Sequence, residues 1–489
     1  MPRQIVRLRA DVPAPLREGL DRLDQRLDVP DGFGADVLAE AERAARTPKL
    51  PAVDATDLEF VTLDPPGSMD LDQALYLARR GDGYRVHYAI ADVAAFVVPG
   101  SALDAETHRR GETLYAPHER TPLHPAVLSE GAASLLPGRD RPALLWRIDL
   151  DTDGELVDAQ VSRALVRSRA KLDYAGVQAA LDAGTAGEML ELLPVIGRLR
   201  QRRELARGGV SLNAPEQEVQ AVDGTWALSY RLARPIEDYN AQLSLLTGMA
   251  AARMMLDGGV GLLRTLPPAE PSALWRLRRT AKALGISWPK RKGYPTFVRG
   301  LDGSRGREAA MVNACTSLFR GAGYLAFDGD VPERHVHGAL GAPYAHVTAP
   351  LRRLGDRYAG EICVALCAGA DVPGWVLDAL DAIPAELAAS ARRAAAYERG
   401  IVDLVEALVL SQRVGETFIG CVVDADQRGG VVMLADPAVE ARVTAAGLEL
   451  GAEVEVTVTG VDLVKGSVAL AVRPSGITSS TVGADESAG

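Results

Sequence analysis

Cysteine is scarce and scattered. Cys315, Cys363, Cys367 and Cys421 are the only four among 489 residues, too few and too dispersed for a disulfide framework. Cys363 and Cys367 lie one helical turn apart on an apolar segment, where thiols act as small core hydrophobes. Long hydrophobic runs are missing too, so no segment is predicted to cross a bilayer as a helix. The N-terminus, MPRQIVRLRADVPAPLREGL, is charged and broken by prolines, and lacks the continuous apolar stretch of a secretory leader. These absences predict a cytoplasmic protein with no membrane partner. Excess positive charge is also lacking. The 54 Lys and Arg against 65 Asp and Glu leave a net charge of −11, which argues against adhesion to nucleic acid by broad electrostatics. A local basic channel remains compatible with that balance. Arginines gather at Arg198, Arg200, Arg202, Arg203 and Arg207, and again at Arg352, Arg353 and Arg357, although a cluster of this kind is by itself an ordinary solvated helix face. His335, His337 and His346 lack the paired spacing of a zinc motif and have no cysteine nearby, so they read as core or substrate-adjacent imidazoles.

What the chain does have is length and a change of periodicity. It is long enough for one large catalytic domain and a small one, and its 47% hydrophobic and 24% charged residues are globular in kind. Residues 1–50 read as a helical extension that includes the amphipathic stretch Ala35–Arg46. From 51 to 412 a strand-rich half (Tyr84–Ala91, Ala143–Leu150, Glu155–Ala164, with Asp-Thr-Asp-Gly as a hairpin turn) gives way to helices at Asp238–Leu256, Pro350–Cys367 and Trp375–Leu410. From 413 to 473 the period returns to two, in five short strands: Glu416–Val423, Gly430–Leu434, Glu440–Val443, Ala452–Val458 and Ser467–Val472. That pattern suits a small closed barrel such as an OB-fold. Residues 474–489 are small and polar and read as a disordered tail. The expected fold is therefore mixed α/β (α+β), followed by a small β-barrel.

Chemistry concentrates in the run Phe60-Val61-Thr62-Leu63-Asp64-Pro65-Pro66-Gly67-Ser68-Met69-Asp70-Leu71-Asp72-Gln73. A β-prone stretch ends on Asp64, a Pro-Pro-Gly-Ser turn follows, and the chain is expected to re-extend from Met69 to Leu77. Side chains two apart on a strand share a face, which predicts Asp70 and Asp72 side by side, folded back towards Asp64. Converging carboxylates invite hard divalent cations such as Mg²⁺, hence metal-assisted phosphoryl chemistry. Asp beside Pro and Gly is equally ordinary turn chemistry, so the spacing alone does not decide.

The surrounding chain does. Asp57–Tyr174 resembles the catalytic RNB domain of the ribonuclease II / ribonuclease R exoribonuclease family, through DLEFVTLD, DLDQAL, VHYAIADV, GSALDAETHRRGETLY, PLHPAVLSEGAASLLPG and RSRAKLDY. The likeness continues through RQRRELARGG, LLRTLPP, YAHVTAPLRRLGDRY and YERG. The stretch opening on GETFIGCVV is similar to the RNA-binding OB barrel that follows RNB domains. The resemblance implies a 3′→5′ hydrolytic exoribonuclease that degrades single-stranded RNA to nucleoside 5′-monophosphates with Mg²⁺ or Mn²⁺, and it leaves no obligate protein partner in view, so a monomer is expected. It assigns Asp64, Asp70 and Asp72 to catalysis and metal binding, with Gln73 at the family's fourth acidic position as a neutral oxygen ligand. It places Arg352 on the scissile phosphate. Thr348 as N-cap and Pro350 in the first turn would put that arginine at a helix start. Tyr115 matches a tyrosine that holds the 3′-terminal nucleotide, and Tyr174 a position tied to choosing RNA over DNA. Glu237 (or its neighbour Asp238) and Glu398 match acids near the ribose. Arg353 is a further substrate-binding candidate, with a salt bridge to Asp356 as its structural alternative.

Departures from the family pattern set the second hypothesis, a catalytically weakened or inactive RNA-binding or regulatory protein on the same scaffold. Gln73 removes a charge from the acidic set. Some 50 residues before the RNB segment cannot hold a cold-shock barrel. A base-clamping aromatic is missing near Leu212–Glu216, and Phe418 is the only aromatic between 413 and 473. Stacking supplies roughly 1–3 kcal/mol per base, so a weaker grip on RNA is expected.

Overall fold

The computed structural model describes residues 7–8, 13–117, 119–212, 216–222, 225–231, 233–303, 306–434, 437 and 439–473. The expected tail at 474–489 and the expected aromatic gap at 213–215 lie outside the described residues.

Five strands close into a barrel at the centre of the large domain: Phe60–Asp64, Gln73–Arg80, Gly83–Ala91, Asp140–Leu150 and Leu156–Asp173. Neighbours in this order are antiparallel, and the barrel shuts where the first strand runs parallel to the last. The alternation that predicted the third strand also explains its packing. Val86, Tyr88 and Ile90 enter the main core, while Ala89 and Ala91 enter a second core on the opposite face. Helices cover the main-core face. Leu243, Leu246 and Ala250 of the helix Pro235–Gly258, and Tyr358 and Ile362 of the helix Leu354–Ala368, pack with Trp146, Ile148 and Leu75. Burying a side chain of that size is worth about 1.5–3 kcal/mol, so the barrel is anchored by these two helices. Register then fixes one rim. Asp64 pairs with Asp173, and Gln73 with Ile90, so the strand ends carrying the candidate acids meet at the same edge.

Two expected elements beside the candidate acids and Arg352 differ. The chain from Met69 to Asp72 is irregular and the strand starts only at Gln73. Ser134 explains this: its hydroxyl donates to the Met69 carbonyl (2.6 Å) and accepts from the Leu71 N–H (3.0 Å), tying this stretch to a loop instead of a ladder. The later helix begins at Leu354 rather than after Thr348, with extended Arg353 as its N-cap residue (φ −138°). Residues 349–353 form a tight turn, in which the Ala349 carbonyl accepts from both the Arg352 and Arg353 N–H groups.

The C-terminal strands Thr417–Asp426, Gly429–Leu434, Glu440–Val443, Glu453–Asp462 and Ser467–Val472 close into a second five-stranded barrel. It shares one core with the long helix Ile383–Ser411 and with Leu16, Leu20 and Leu23 of the N-terminal helix Ala14–Leu27. Gly19 permits that approach, since a Cβ there would lie 2.5 Å from Leu404 Cδ2 and 3.0 Å from the Leu463 carbonyl oxygen. His346 shares a hydrogen bond with Tyr324 (2.8 Å) and packs edge-on to Tyr344, as a core imidazole does. Among the described residues no helix is long and apolar enough to cross a membrane.

Beyond the N-terminal helix, the chain is clasped by Arg110, whose side chain is only 1% exposed. Arg110 donates to the carbonyls of Asp31 and Gly32 (2.8 Å each) and Pro122 (3.1 Å), pairs with Glu106 (2.6 Å), and covers the Phe33 ring at 3.8 Å. Arg110→Ala strips partners from three carbonyls and a carboxylate together, so a loss of about 3 kcal/mol is expected in urea unfolding. Arg110→Lys, lacking the planar fork, recovers less than half of it.

Candidate active site

The rim of the first barrel gathers three acids and three cations. Asp72 is buried (2% exposed). One of its oxygens accepts from the Leu351 N–H at 2.8 Å, and the other from Arg352 Nε at 2.6 Å. Asp70, nearer the surface, pairs with Arg120 at 3.0 Å, and the Tyr115 hydroxyl stands 3.5 Å from its other oxygen. Asp64 closes the set. Burial pushes its carboxyl up to about 7, Asp72 and Asp70 push the same way, and Arg352 and Lys171 oppose them. Burial likewise lifts Asp72 to about 6 against the pull of Arg352 and the Leu351 N–H. The acids therefore sense one another, as the sequence predicted. They do so across the turn at 65–68 and an irregular segment, not along one strand face.

Gln73 does not join them in the way expected. Its Oε1 accepts from Tyr88, by a very short contact, and from Ser244 at 3.2 Å, while its Nε2 donates to the Thr348 carbonyl at 2.6 Å. An amide oxygen with both lone pairs engaged has none left for a cation. Gln73 is a strut between the barrel and the turn that carries Arg352.

The remaining candidates divide. Tyr115 is 38% exposed beside Asp70 on the short strand pair Leu114–Tyr115/Arg120–Thr121. Tyr174 opens the helix Tyr174–Asp182 at the same rim, where burial and then the Asp64 charge push its phenol up to about 12. Its hydroxyl accepts from Asn240 Nδ2 at 3.3 Å. Glu237 lies one turn before Asn240 but is engaged by Arg231 (2.7 and 3.0 Å) and by the Arg234 N–H (3.0 Å), as the acid of a capping box. Arg353 forks onto Asp356 (2.9 and 2.7 Å), which also accepts from the Ala349 N–H (2.7 Å). The structure thus commits Arg353 to the structural alternative, bracing the turn. Glu398 is half-buried on the helix Ile383–Ser411, and the groups described around the aspartates do not include it. Sequence reasoning missed Arg120 and Asn240. Arg120 carries no motif signal, but a tyrosine and an arginine five residues apart across a tight reversal face each other in the ladder.

Among the described residues no group of three or more His, Cys, Asp or Glu side chains is arranged to hold a metal. The donor chemistry nevertheless fits a hard divalent ion: Asp64, Asp70 and Asp72 offer only carboxylate oxygen. Asp64, held near neutrality by burial and by two like charges, is the group that a cation would relieve most.

Comparison with known proteins bears on the same residues. A family model described as RNB domain matches residues 52–366, and one described as RNase II-type exonuclease C-terminal S1 domain matches residues 416–473. Ribonuclease R of Escherichia coli (strain K12) is 28% identical over 344 residues, 67% of this chain and 42% of that protein. RNase R of Mycoplasma genitalium, in complex with ribose methylated single-stranded RNA, aligns with a TM-score of 0.83 at 18% identity, over 94% of this chain and 78% of that one. Yeast Ssd1, a pseudonuclease, aligns with a TM-score of 0.66 at 14% identity, over 90% and 58%. The chain spans about half or less of the length of the curated relatives it matches.

The Asp64 environment has a consequence for stability. Its folded pKa of about 7 lies above the ordinary 3.8, so the folded chain binds the proton more tightly than the unfolded one. The stability this confers is complete below pH 4 and is lost as pH rises through 7. In metal-free protein, Asp64→Asn is expected to be more stable than wild type by on the order of 2–4 kcal/mol at pH 8 and by almost nothing at pH 4. Urea titrations across that range measure the difference. Added Mg²⁺ or Mn²⁺ should raise the wild-type midpoint more than that of the variant.

Proposed function

Because this chain belongs to the RNB-domain family, we propose that it is a 3′→5′ hydrolytic exoribonuclease, a cytoplasmic monomer that shortens single-stranded RNA to nucleoside 5′-monophosphates. The observation that carries this reading is the meeting of Asp64, Asp70, Asp72, Arg352 and Tyr115 on one barrel rim. Tyr115 offers an exposed ring to the last base and its hydroxyl to that nucleotide's polar groups. Tyr174 and Asn240, joined by a hydrogen bond at 3.3 Å, would offer a ribose 2′-hydroxyl both a donor and an acceptor. Arg352 spends one N–H on Asp72 and keeps the rest of its guanidinium for the scissile phosphate, as charge builds there. A divalent ion such as Mg²⁺ or Mn²⁺ among Asp64, Asp70 and Asp72 would supply an activated water and Lewis acidity at the phosphorus oxygens. Arg120, on Asp70, holds that carboxylate in place and limits the repulsion among the three acids. Glu237 acts through the helix start that bears Asn240, and Arg353 through the turn that bears Arg352. Glu398 is kept as a more distant candidate for RNA contact.

One observation favours a second reading, a non-catalytic RNA-binding protein. The fourth position of the acidic set is an amide whose oxygen is already engaged by Tyr88 and Ser244.

Incubation of 5′-labelled single-stranded RNA with Mg²⁺ or Mn²⁺ is expected to give a ladder from the 3′ end; an intact substrate with both ions rejects the nuclease reading. Asp72→Asn should lower the rate by about a thousandfold while RNA binding by filter retention stays within a few fold. Arg352→Ala should lower it by roughly a hundredfold to a thousandfold. Should wild type bind RNA without cutting it and Gln73→Asp cut, the second reading holds.

A further inference from the structure

The first barrel has another end. Tyr84 pairs with Leu150 and Arg80 with Gly83 at the rim opposite Asp64 and Gln73. There the helix Glu188–Ala206 crosses the strand hairpins and leaves a cleft of about 500 Å³ lined by Tyr84, Val195, Arg198, Leu199, Arg202 and Arg299, among others. Every charged residue lining it is an arginine, in a chain whose net charge is −11.

These arginines differ from their neighbours in one respect. Arg203 is neutralised by Glu155 at 3.1 Å, and Arg200 turns inward to the Gly154 carbonyl at 2.6 Å. Arg198 and Arg202, four apart on one helix face, make no ion pair among the described residues. Arg299 is held at the edge of the cleft by the fully buried Glu204 at 2.9 Å, so its guanidinium is pre-set. Two unneutralised forks beside a fixed third form an anion receptor of the kind that reads phosphate bidentately. The rest of the wall is mainly apolar: Val195, Leu199, Leu205 and the Tyr84 ring, the last with Arg79 at 6.0 Å from its centroid, with Thr152 and Gln201 as its polar members. A phosphate end and a flat apolar end in a volume within the small-ligand range match one nucleotide.

We propose that this cleft binds a nucleoside 5′-monophosphate, with its phosphate on Arg198, Arg202 and Arg299 and its base against Tyr84 and Leu199. The site stands apart from the aspartate rim, so its existence does not depend on the reaction proposed there.

The test is photolabelling of the full-length protein with 8-azido-AMP, followed by peptide mapping. The expected adduct lies on the peptide carrying Tyr84 or on residues 195–205, and is displaced by excess AMP but not by adenosine. The double variant Arg198→Glu/Arg202→Glu should lower labelling of those peptides about tenfold, with an unchanged thermal midpoint and unchanged labelling near Tyr115. Arg198→Lys/Arg202→Lys, which keeps the charge without the forks, should fall between the two. The proposal is overturned if those peptides stay unlabelled, if adenosine competes as well as AMP, or if the double variant folds and labels like wild type. Displacement by a single-stranded oligoribonucleotide but not by AMP overturns it as well.

Discussion

Asp72 holds together two stretches of chain nearly 280 residues apart, by one backbone and one side-chain hydrogen bond. A buried carboxylate needs its charge and its lone pairs answered, and here both answers come from the turn at 349–353. Other bonds depend on that turn. The Thr113 N–H donates to the Arg352 carbonyl at 2.9 Å, which hangs the strand pair bearing Tyr115 and Arg120 from the same place. The Leu354 N–H reaches the Gly111 carbonyl at 3.0 Å, so the helix that covers the barrel starts from it as well. The position of Arg352 is therefore an outcome of burying Asp72.

The strand ladder was legible because it is driven by alternation against two cores, a local signal. The same holds for the C-terminal barrel, whose strands were bounded to within a few residues. The aspartates were legible as a cluster, since Pro65, Pro66, Gly67 and Ser68 carry turn chemistry that folds the chain back towards Asp64. Their geometry was not. It is set by Ser134 and by the turn at 349–353, contacts more than 60 residues away that no local period reports. The helix start was misplaced for the same reason: Thr348 and Pro350 satisfy a capping pattern, but Asp72 and Asp356 take the N–H groups of Leu351 and Ala349 that a helical first turn would leave free. Arg120 and Asn240 were invisible because an arginine in a hairpin and an asparagine in a helix acquire meaning only from what faces them.

The N-terminal segment and the C-terminal barrel show the same dependence on distant partners. With Phe418 its only aromatic, the barrel offers little for bases to stack on. Its apolar residues instead meet Leu16, Leu20 and Leu23, together with Leu114 next to Tyr115, in one core. Arg110 then links the chain after the N-terminal helix to Pro122, just past Arg120. Parts remote in sequence thus converge on the short strand pair at the mouth of the site, and residues 14–33 act as a brace where sequence patterning showed only short helices.

Gln73 is best understood against this background. A fourth acid beside Asp64 and Asp72 would add like charge where burial, and then repulsion, already lift both carboxyls. It would also have no N–H for the Thr348 carbonyl. The amide supplies that donor and still accepts from Tyr88 and Ser244, so its oxygen is fully engaged. Adjacent residues then hold opposite ends of one turn, Gln73 at Thr348 and Asp72 at Leu351 and Arg352. Arg120, Arg352 and Lys171 already face the three acids, and Arg120 is shared with Glu130, so a further acid would find no free cation among them. The substitution therefore exchanges a charge in the acidic pocket for a firmer grip on the turn that positions Arg352, and the two positions have to be judged as one unit.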